Sequence, residues 1–295
     1  MRSEVRINTS DFRLPASGFI MPLLTLTSDF GIRDYLVAAV KAQLLQSNPE
    51  MNIIDISHNI SPFNYPQAAY LCKSSIRNFP DFTYHVILVS LFESKPKQLL
   101  VAFHNNQYLF CADNGLLTMI LEEKPEAVTG IPLNDIDTKS TIHIVAAMAK
   151  AIHQLASGEP LQNIGIPDVD YIQKNHLRPL LGSDWIEGQI LFIDNFENVI
   201  INITLEQFEE QRAGRNFRIV FKREEVIDRI SESYADVPEG EKLALFNSAG
   251  YLEIAINKGN AAGLLGLKGF SERAGQVPGI LQNQLAYQTV RIYFE

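Results

Sequence analysis

The first half of the chain alternates strand-like and helix-like segments, and this alternation is the feature that most restricts its fold. The strand-like segments are short and rich in Val, Ile, Leu, Phe and Tyr, whereas the helix-like segments repeat apolar residues at helical spacing. Strands that alternate with helices form α/β domains with a mostly parallel sheet. Strands are predicted in "LLTLTSDF", "MNIIDISH", "TYHVILVSLF" and the hairpin-like "QLLVAFHNNQYLFCADNG", and helices in "DYLVAAVKAQLLQSN", "YPQAAYLCKSSIRNF" and "TIHIVAAMAKAIHQLASG".

The pattern changes after about residue 180. Short strand-like segments are then separated by Gly, Asn and Pro, as is typical of a small antiparallel barrel or sandwich. At 295 residues the chain is also longer than one hydrophobic core usually organises. We predict an α/β N-terminal domain with a mostly parallel sheet and a C-terminal antiparallel β-barrel domain. The predicted boundaries are an N-terminal extension at 1–20, the α/β domain at 21–165, a linker at 166–182 and the barrel at 183–295.

Composition argues against several classes of function. The net charge of −9 disfavours a nucleic-acid or anionic-membrane surface, because phosphate binding needs clustered Lys and Arg. No apolar run is long enough to cross a bilayer, and residues 1–20 lack the apolar core of a signal peptide. Cys72 and Cys111 lie far apart in apolar runs and are expected to be reduced and buried. We therefore expect a cytoplasmic protein.

Asp29-Phe30-Gly31 matches the kinase DFG signature, but the companions of that signature are missing. The chain contains neither a glycine-rich phosphate loop nor an H-R-D segment, so the kinase interpretation fails. It also lacks H-E-x-x-H and C-x-x-C, and its six histidines are isolated from one another. The sequence therefore predicts no metal site and no bound cofactor.

The acidic turn after the first predicted strand has two interpretations. In an open α/β sheet, ligands bind beyond the carboxyl ends of the strands, where Asp29 is expected. A carboxylate there can accept charge-assisted hydrogen bonds from both hydroxyls of a ribose. The alternative is a cap on the following helix, a role for which Asp34 is better placed.

Two polar clusters interrupt the strands of the second half. "IDNFENVIINI", residues 193–203, crowds Asp194, Asn195, Glu197 and Asn198 into a bend between apolar strands. A turn closed by Asx hydrogen bonds explains this composition equally well. "NSAGYLEIAINKGNAAGLLG", residues 247–266, places Gly, Asn and Ser among strand-forming residues, as in a loop whose backbone approaches a ligand.

Taken in order, these motifs resemble those of the S-adenosyl-L-methionine (SAM) hydroxide adenosyltransferase family, relatives of the SAM-dependent fluorinases and chlorinases. The resemblance covers about residues 21 to 270. It implies hydrolysis of SAM to adenosine and L-methionine, with SAM as substrate and no cofactor. It also implies an α/β domain, a β-barrel, and a homotrimer whose nucleoside sites lie between one subunit's first domain and its neighbour's barrel. The motifs are "TLTSDFG", "NIIDISHNISPFNYPQAAYL", "ADNGLL", "LASGEPLQNIG", "IDNFENVIINI" and "NSAGYLEIA".

The resemblance also implies roles for particular residues. Asp29 matches the aspartate that binds the ribose 2′- and 3′-hydroxyls, and Asn198 matches an asparagine near the adenine. Asp194 and Ser248 match positions that hold the amino and carboxylate groups of methionine. Residues 247–255 match the edge that reads the base. The implied substrate-binding set is Asp29, Asp194, Asn198, Asn247, Ser248 and Glu253.

The chain departs from the family pattern in the segments that, by the resemblance, hold the water that attacks SAM. The family loop V-V-D-P-G-V-G-T-x-R corresponds to "LVSLFESKPK", so that its aspartate falls on Ser90 and its arginine on Lys97. Phe92 and Ser94 replace two glycines, and the loop is therefore not expected to follow the same backbone path. His143 matches the family histidine, but the Arg and Asp that follow it there are missing. Elsewhere, Glu197 replaces a glycine.

The implied catalytic set is therefore His143, Lys97 and Ser90. Attack of water on C5′ expels methionine as a neutral thioether, so the enzyme must position a water and need not supply an acid. Ser90 carries no charge, and Lys97 lacks the planar fork of an arginine. His143 can serve as a base at neutral pH, or it is a packing residue on an apolar helix.

Three functions stay open at this stage. The first is SAM hydrolysis, and the second is a SAM- or adenosine-binding protein of the same fold with little turnover. Leu91 or Phe92 filling the space beside C5′ favours the second. The third is an interaction protein without a ligand, in which Asp29 and Asp194 are engaged by internal salt bridges or caps. Halide use is disfavoured, because no pattern here identifies a pocket poor in donors.

Overall fold

The structure is a computed structural model. The predicted N-terminal extension, residues 1–20, lies outside its described residues. The chain divides into two compact units, Met1–Asn175 and His176–Glu295, and each contains its own sheet. The residues described are 22–134, 136–222, 225–267 and 289–295.

The first unit contains one mixed sheet. Its described strands are β1 (Leu23–Ser28), β2 (Asn52–Ser57), β3 (Tyr84–Leu88), β4 (Gln98–His104), β5 (Gln107–Ala112), β6 (Ala127–Pro132) and β7 (Ile166–Pro167). They lie in the order β2-β1-β3-β5-β4-β6-β7. β1 pairs in parallel with β2 and with β3, and β3 pairs in parallel with β5. The pairs β4 with β5, β4 with β6, and β6 with β7 are antiparallel.

Helices cover both faces of this sheet. Those described are α1 (Leu36–Ser47), α2 (Tyr65–Ile76), α3 (Leu116–Leu121) and α4 (Thr141–Ala156). α1 packs with α4, and α2 packs with α3. Val86 and Leu88 of β3 lie in the cluster with α1 and α4, whereas Ile87 lies in the cluster with α2 and α3. β3 is therefore buried on both faces, which explains why its sequence is apolar apart from His85.

The second unit contains an antiparallel sheet. Its strands are β8 (Leu180–Leu181), β9 (Trp185–Ile193), β10 (Val199–Thr204), β11 (Phe217–Lys222), β12 (Glu225–Ile227), β13 (Lys242–Phe246), β14 (Tyr251–Ile256) and β15 (Thr289–Phe294). The order is β12-β11-β15-β9-β10-β14-β13, with β8 added beside β9. β12 at one end contacts β13 at the other, so that the sheet curls into a nearly closed barrel.

Two helices of the second unit are described, α5 (Leu205–Arg212) and α6 (Ala261–Leu264). α5 begins at a capping box, in which Thr204 accepts from the backbone of Gln207 and the Gln207 side chain accepts from the backbone of Thr204. On its inner face Phe208 is fully buried and contacts the ring of Phe217 edge-on.

The predicted fold class is confirmed in both units. The Asn-Asn turn predicted between paired strands joins β4 to β5, with Asn105 and Asn106 at φ +47° and +58°. α4 ends at Ala156, two residues before Gly158. The predicted linker includes β7 of the first unit and β8 of the second, and the domain boundaries themselves stay predictions. Within the ranges described, every helix is too short or too polar to cross a bilayer.

Candidate functional site

One candidate cluster, in the first unit, lies at the carboxyl ends of β1 and β3. These strands are parallel neighbours, so the segments that follow them meet at one edge of the sheet. Asp29 follows β1 directly, and Val89 and Ser90 follow β3. The backbone N–H of Ser90 donates to Asp29 Oδ2 at 2.8 Å. The structure thus brings two of the predicted site residues together across 61 positions of sequence.

Asp29 is half-buried and does not cap α1. Burial raises the pKa of its carboxyl group above the usual 3.8, and the hydrogen bonds from Ser90 and from its own backbone oppose that rise. The N-cap position is Tyr35, which forms no side-chain cap bond. Asp34, one residue earlier, accepts at Oδ1 from the backbone N–H of Leu36, the first residue of α1, at 2.9 Å. Asp34 rather than Asp29 therefore contacts the start of α1.

Ser90 has an unusual backbone and a buried hydroxyl. Its φ is +50°, a conformation that costs a non-glycine residue energy and therefore marks a constrained position. The residue is 7% exposed, and Oγ has no partner at hydrogen-bonding geometry among the described residues. The next side chain, Leu91, belongs to the core on the α1 and α4 side, whereas Phe92 is 48% exposed.

The other two predicted catalytic residues are exposed. Lys97 immediately precedes β4, and its carbonyl accepts from the backbone N–H of Leu133 at 2.9 Å. His143 lies in the first turn of α4 on its exposed face, with Nδ1 2.7 Å from Ser140 Oγ. In the part of the chain that the structure describes, no hydrogen bond or ion pair joins either residue to Asp29 or Ser90.

Three residues at this edge were absent from the sequence-based prediction: Tyr65, Glu93 and Lys174. The hydroxyl of Tyr65, the first residue of α2, donates to Glu93 Oε2 in a short hydrogen bond. Lys174 Nζ lies 3.6 Å from the centre of the Tyr65 ring and 3.4 Å from Glu93 Oε2. No local pattern marked them, because each contact joins residues distant in sequence.

In the second unit, Asp194 organises the turn between β9 and β10. Its Oδ1 accepts from the backbone N–H groups of Phe196 at 2.9 Å and Asn198 at 2.8 Å, and its Oδ2 accepts from Asn198 Nδ2 at 3.1 Å. The Asx-turn interpretation of this cluster is therefore correct. Glu197, which replaces a family glycine, has φ +64°, a conformation that glycine adopts without strain.

The predicted residues on and beside β14 gather near the same turn. Glu253 is buried, and its Oε1 accepts from the hydroxyl of Tyr234 at 2.7 Å. Burial raises the pKa of Glu253, the nearby charge of Asp194 raises it further, and hydrogen bonds from Tyr234 and Asn247 oppose the rise. Asn247 Oδ1 accepts from the backbone N–H of Ala249, whereas Ser248 beside it is exposed. Asp194, Asn198, Asn247 and Glu253 thus form one polar cluster.

Within the described ranges, no group of three or more His, Cys, Asp or Glu side chains is arranged to hold an ion. The polar groups at both clusters are carboxylates, amides and hydroxyls, which suit hydrogen bonding to an organic ligand.

The first unit is an α/β fold with a carboxylate at the carboxyl end of a strand, and the second unit is a nearly closed antiparallel barrel. These two units define the class of protein. The SAM hydroxide adenosyltransferase N-terminal domain matches residues 24–165, and the SAM hydroxide adenosyltransferase C-terminal domain matches residues 188–273. The chain belongs to the SAM hydroxide adenosyltransferase family.

Several relatives match over most of their length. The chain is 27% identical over 256 residues to the (R)-S-adenosyl-L-methionine hydrolase of Methanocaldococcus jannaschii, which covers 83% of this chain and 92% of the relative. The chain is 30% identical over 256 residues to the (R)-S-adenosyl-L-methionine hydrolase of Thermus thermophilus, and this match covers 82% of the chain and 94% of the relative. A fluorinase of Nocardia brasiliensis is 25% identical over 284 residues, covering 82% and 92%.

Solved structures include the same fold. A conserved protein of Thermotoga maritima superposes with a TM-score of 0.72 at 25% sequence identity. The match covers 92% of this chain and 99% of that one.

Proposed function

We propose that this protein hydrolyses SAM to adenosine and L-methionine by attack of water on the ribose C5′. Family membership supports the proposal, as do the relatives named (R)-S-adenosyl-L-methionine hydrolase at 27% and 30% identity. The observation that carries it is the Asp29 carboxylate at the end of β1, held by the backbone N–H of Ser90.

Asp29 is proposed to bind the ribose 2′- and 3′-hydroxyls. An ionised carboxylate has about four acceptor positions, so the bond from Ser90 leaves capacity for a vicinal diol. Asp34, not Asp29, accepts from the first backbone N–H of α1, and Asp29 is therefore available for a ligand. Asp194, Asn198, Asn247, Ser248 and Glu253 are proposed to bind the rest of SAM.

The reaction needs one water in line with the C5′–S bond. The bond from the water oxygen to C5′ forms as the C5′–S bond breaks, methionine leaves with the electron pair on sulfur, and the water loses a proton. Ser90 Oγ, buried and without a partner at hydrogen-bonding geometry among the described residues, is proposed to orient the water. His143 is proposed to accept the proton, with Lys97 beside the water.

A second function, nucleoside binding with little turnover, is favoured by one specific observation. Lys97 and His143 are exposed, and neither bonds to Ser90 or Asp29 within the described residues. Loss of a positioned general base costs roughly two to four orders of magnitude in rate. The ligand-free alternative needs both Asp29 and Asp194 to be engaged internally. Asp194 is engaged by its own turn, whereas Asp29 is engaged neither by a salt bridge nor as a helix cap among the described residues, and this disfavours the alternative.

A homotrimer with nucleoside sites between subunits is part of the proposal, as is a cytoplasmic location. Exposed apolar side chains follow the carboxyl ends of three neighbouring parallel strands, on the edge that holds Asp29. Such a patch marks an association surface. These side chains are Ile32, Tyr35, Phe63 and Phe92. Sedimentation of the purified protein tests the assembly, and a monomer at micromolar concentration rejects it.

Incubation of the purified protein with SAM, followed by chromatography, tests the activity. We expect equimolar adenosine and methionine from the wild type and none from Asp29→Ala. Absence of adenosine from a wild type that still binds adenosine in calorimetry replaces the hydrolase with the binding protein. Absence of both activities rejects the nucleoside site.

A further inference from the structure

The side chain of Asn114 lies at the ends of three neighbouring strands, and the function proposed above gives it no role. Asn114 belongs to the segment "ADNGLL" and is 8% exposed. β5 pairs in parallel with β3, and β3 pairs in parallel with β1, so the segments that follow these strands lie side by side. Asp29 follows β1, Ser90 follows β3 and Asn114 follows β5. The strand order therefore places the segment of Ser90 between Asn114 and Asp29.

Asn114 is held through its amide oxygen and donates through its amide nitrogen. Its Oδ1 accepts from the backbone N–H of Leu116, the first residue of α3, at 3.1 Å. Its Nδ2 donates to the carbonyl of Val89 at 3.0 Å and to the carbonyl of Ser90 at 3.3 Å. Both bonds are compatible with one side chain, because the amide group carries two N–H donors. Asn114 thus ties the start of α3 to the segment that follows β3.

One peptide group transmits this contact to Asp29. The carbonyl of Val89 and the N–H of Ser90 belong to the same trans peptide, in which the two groups point in opposite directions. The carbonyl accepts from Asn114 Nδ2, and the N–H donates to Asp29 Oδ2 at 2.8 Å. The Val89–Ser90 peptide is therefore held between an amide donor on one side and a carboxylate acceptor on the other.

The backbone of Ser90 shows that this orientation has to be held. Its φ of +50° lies in the left-handed region, which is costly for a serine. A flip of the Val89–Ser90 peptide would bring this angle to a negative value, which is more favourable. The flip would also turn the carbonyl of Val89, in place of an N–H, toward Asp29. Asn114 opposes the flip, because the flipped peptide loses its bond from Nδ2 and deprives a buried donor of that acceptor.

The N–H of Ser90 affects Asp29 in two ways. It holds one carboxylate oxygen in place, so that less freedom is lost when a diol binds. It also favours the ionised carboxylate, because burial raises the pKa of Asp29 and the bond from Ser90 opposes that rise. An ionised carboxylate accepts at both oxygens, whereas a protonated carboxyl group carries a donor on one of them. Both effects favour a ligand with two adjacent hydroxyls.

We propose that Asn114 is a positioning residue for nucleoside binding: it keeps the N–H of Ser90 turned toward Asp29, and the site thereby discriminates ribonucleosides from nucleosides that lack the 2′- and 3′-hydroxyls. The inference rests on the proposed ribose site and holds for a hydrolase and for a binding protein alike. Asn114 acts through the Val89–Ser90 peptide and not by contact with the ligand.

Two ligands that differ only in the ribose hydroxyls, adenosine and 2′,3′-dideoxyadenosine, test the proposal by calorimetry on the whole chain. The wild type is expected to prefer adenosine by about a hundredfold or more, because the second ligand lacks both hydrogen bonds to Asp29. A loss of folded protein lowers the apparent affinity for both ligands by the same factor. The ratio of the two affinities therefore reports on the ribose contact and not on stability.

Asn114→Ser and Asn114→Asp each keep an acceptor for the N–H of Leu116 and remove the amide donor to Val89. Each is expected to reduce the preference for adenosine about tenfold, as for the loss of one hydrogen bond. Asn114→Ser adds no charge, so it decides the test if Asn114→Asp does not fold. In the Asp29→Ala background Asn114→Ser is expected to cause no further reduction of the preference, because the carboxylate through which it acts is missing.

Asn48→Asp is the matched control. Asn48 is 6% exposed at the C-terminal end of α1, and its Nδ2 also donates to two carbonyls, those of Leu44 and Ala149. This variant is expected to lose stability and to keep the wild-type preference for adenosine. A decrease in the control equal to that in Asn114→Ser overturns the inference, since loss of any buried amide donor then has the same effect.

The remaining outcomes separate this inference from the proposed function. An unchanged preference in Asn114→Ser overturns the inference even if Asn114→Asp shows a decrease, because the added charge then causes it. A further reduction by Asn114→Ser in the Asp29→Ala background also overturns it. Equal affinity of the wild type for both ligands rejects the ribose assignment of Asp29 itself, and binding of neither ligand rejects the nucleoside site.

Discussion

The backbone N–H of Ser90 donates to Asp29 Oδ2 at 2.8 Å, and this bond joins the proposed sugar-binding carboxylate to the loop in which the chain departs most from its family. Ser90 donates this bond with its backbone in the left-handed region, at φ +50°. Adjacent parallel strands bring the two residues together, so a changed loop still supports the aspartate. The loop can therefore differ from the family pattern while its contact with Asp29 is kept.

Asp29→Ala is expected to weaken adenosine binding at least a hundredfold. The substitution removes both charge-assisted hydrogen bonds to the ribose diol, each of which contributes about 1.5–3 kcal/mol. Isothermal titration calorimetry with adenosine measures the loss. Asp34→Asn, in the same turn but bonded to the first backbone N–H of α1, is the matched control and is expected to keep its affinity. Equal affinities for wild type and Asp29→Ala contradict the ribose assignment.

Asp29→Asn is expected to increase the free energy of unfolding at pH 7 while impairing ligand binding. Burial raises the pKa of Asp29 in the folded protein, so between 3.8 and that raised pKa the folded state binds more protons than the unfolded state. The contribution of Asp29 to stability is therefore fully present below pH 3.8 and is lost as the pH rises through the folded-state pKa. Urea titrations at pH 4 and pH 7 measure the difference, and a variant less stable than wild type at pH 7 contradicts it.

His143→Ala is expected to reduce SAM hydrolysis by about two orders of magnitude or more, because a general base contributes that much to rate. Adenosine affinity is expected to stay within about threefold of wild type, since His143 has no bond to Asp29 in the described residues. Single-turnover assays by chromatography separate the two effects. His153→Ala, on the last turn of the same helix, is the control. Full turnover by His143→Ala excludes that residue as the base.

His85 is expected to make the protein less stable below neutral pH. It lies in β3, 1% exposed, with Nδ1 2.7 Å from Thr25 Oγ1. Burial lowers its pKa from 6.5 to about 4, so in this window the unfolded state binds more protons than the folded state. Stability falls as the pH drops from 6.5 to 4, by roughly 3 kcal/mol in all.

Urea titrations at pH 7.5 and pH 5 measure that loss. His85→Gln retains a hydrogen-bonding side chain toward Thr25 and is expected to show a smaller dependence on pH, whereas the exposed His153→Gln is expected to behave as wild type. An equal pH dependence in His85→Gln and wild type assigns the loss to other groups.

Thr204→Ala is expected to destabilise the second unit by about 1 kcal/mol, because it removes the capping box at the start of α5. Thr204→Ser keeps the hydroxyl and is expected to restore most of the loss. Because two units can unfold separately, the transition is followed by hydrogen exchange at α5. Unchanged protection there in Thr204→Ala shows that the cap contributes nothing.

Local patterns were sufficient to predict the order of elements and some of their ends. Periodicity reports which side chains are buried, so the strand–helix alternation and the later run of short strands predicted both sheets. Cap and turn chemistry depends on neighbouring residues, and Asp34 and the Asn105-Asn106 turn were predictable for that reason. The Asx turn at Asp194 was one of two alternatives for the same reason.

Tertiary structure decided the contacts at the edge of the first sheet that holds Asp29 and Ser90. β1 lies between β2 and β3, and only this strand order brings Ser90 to Asp29 and Tyr65 to Glu93, which are 28 positions apart. Lys174 reaches Glu93 across 81 positions. Such long-range pairings leave no periodic trace in the sequence, because they depend on which strands become neighbours and on the backbone angles of one loop, and both are set by the packing of the whole unit.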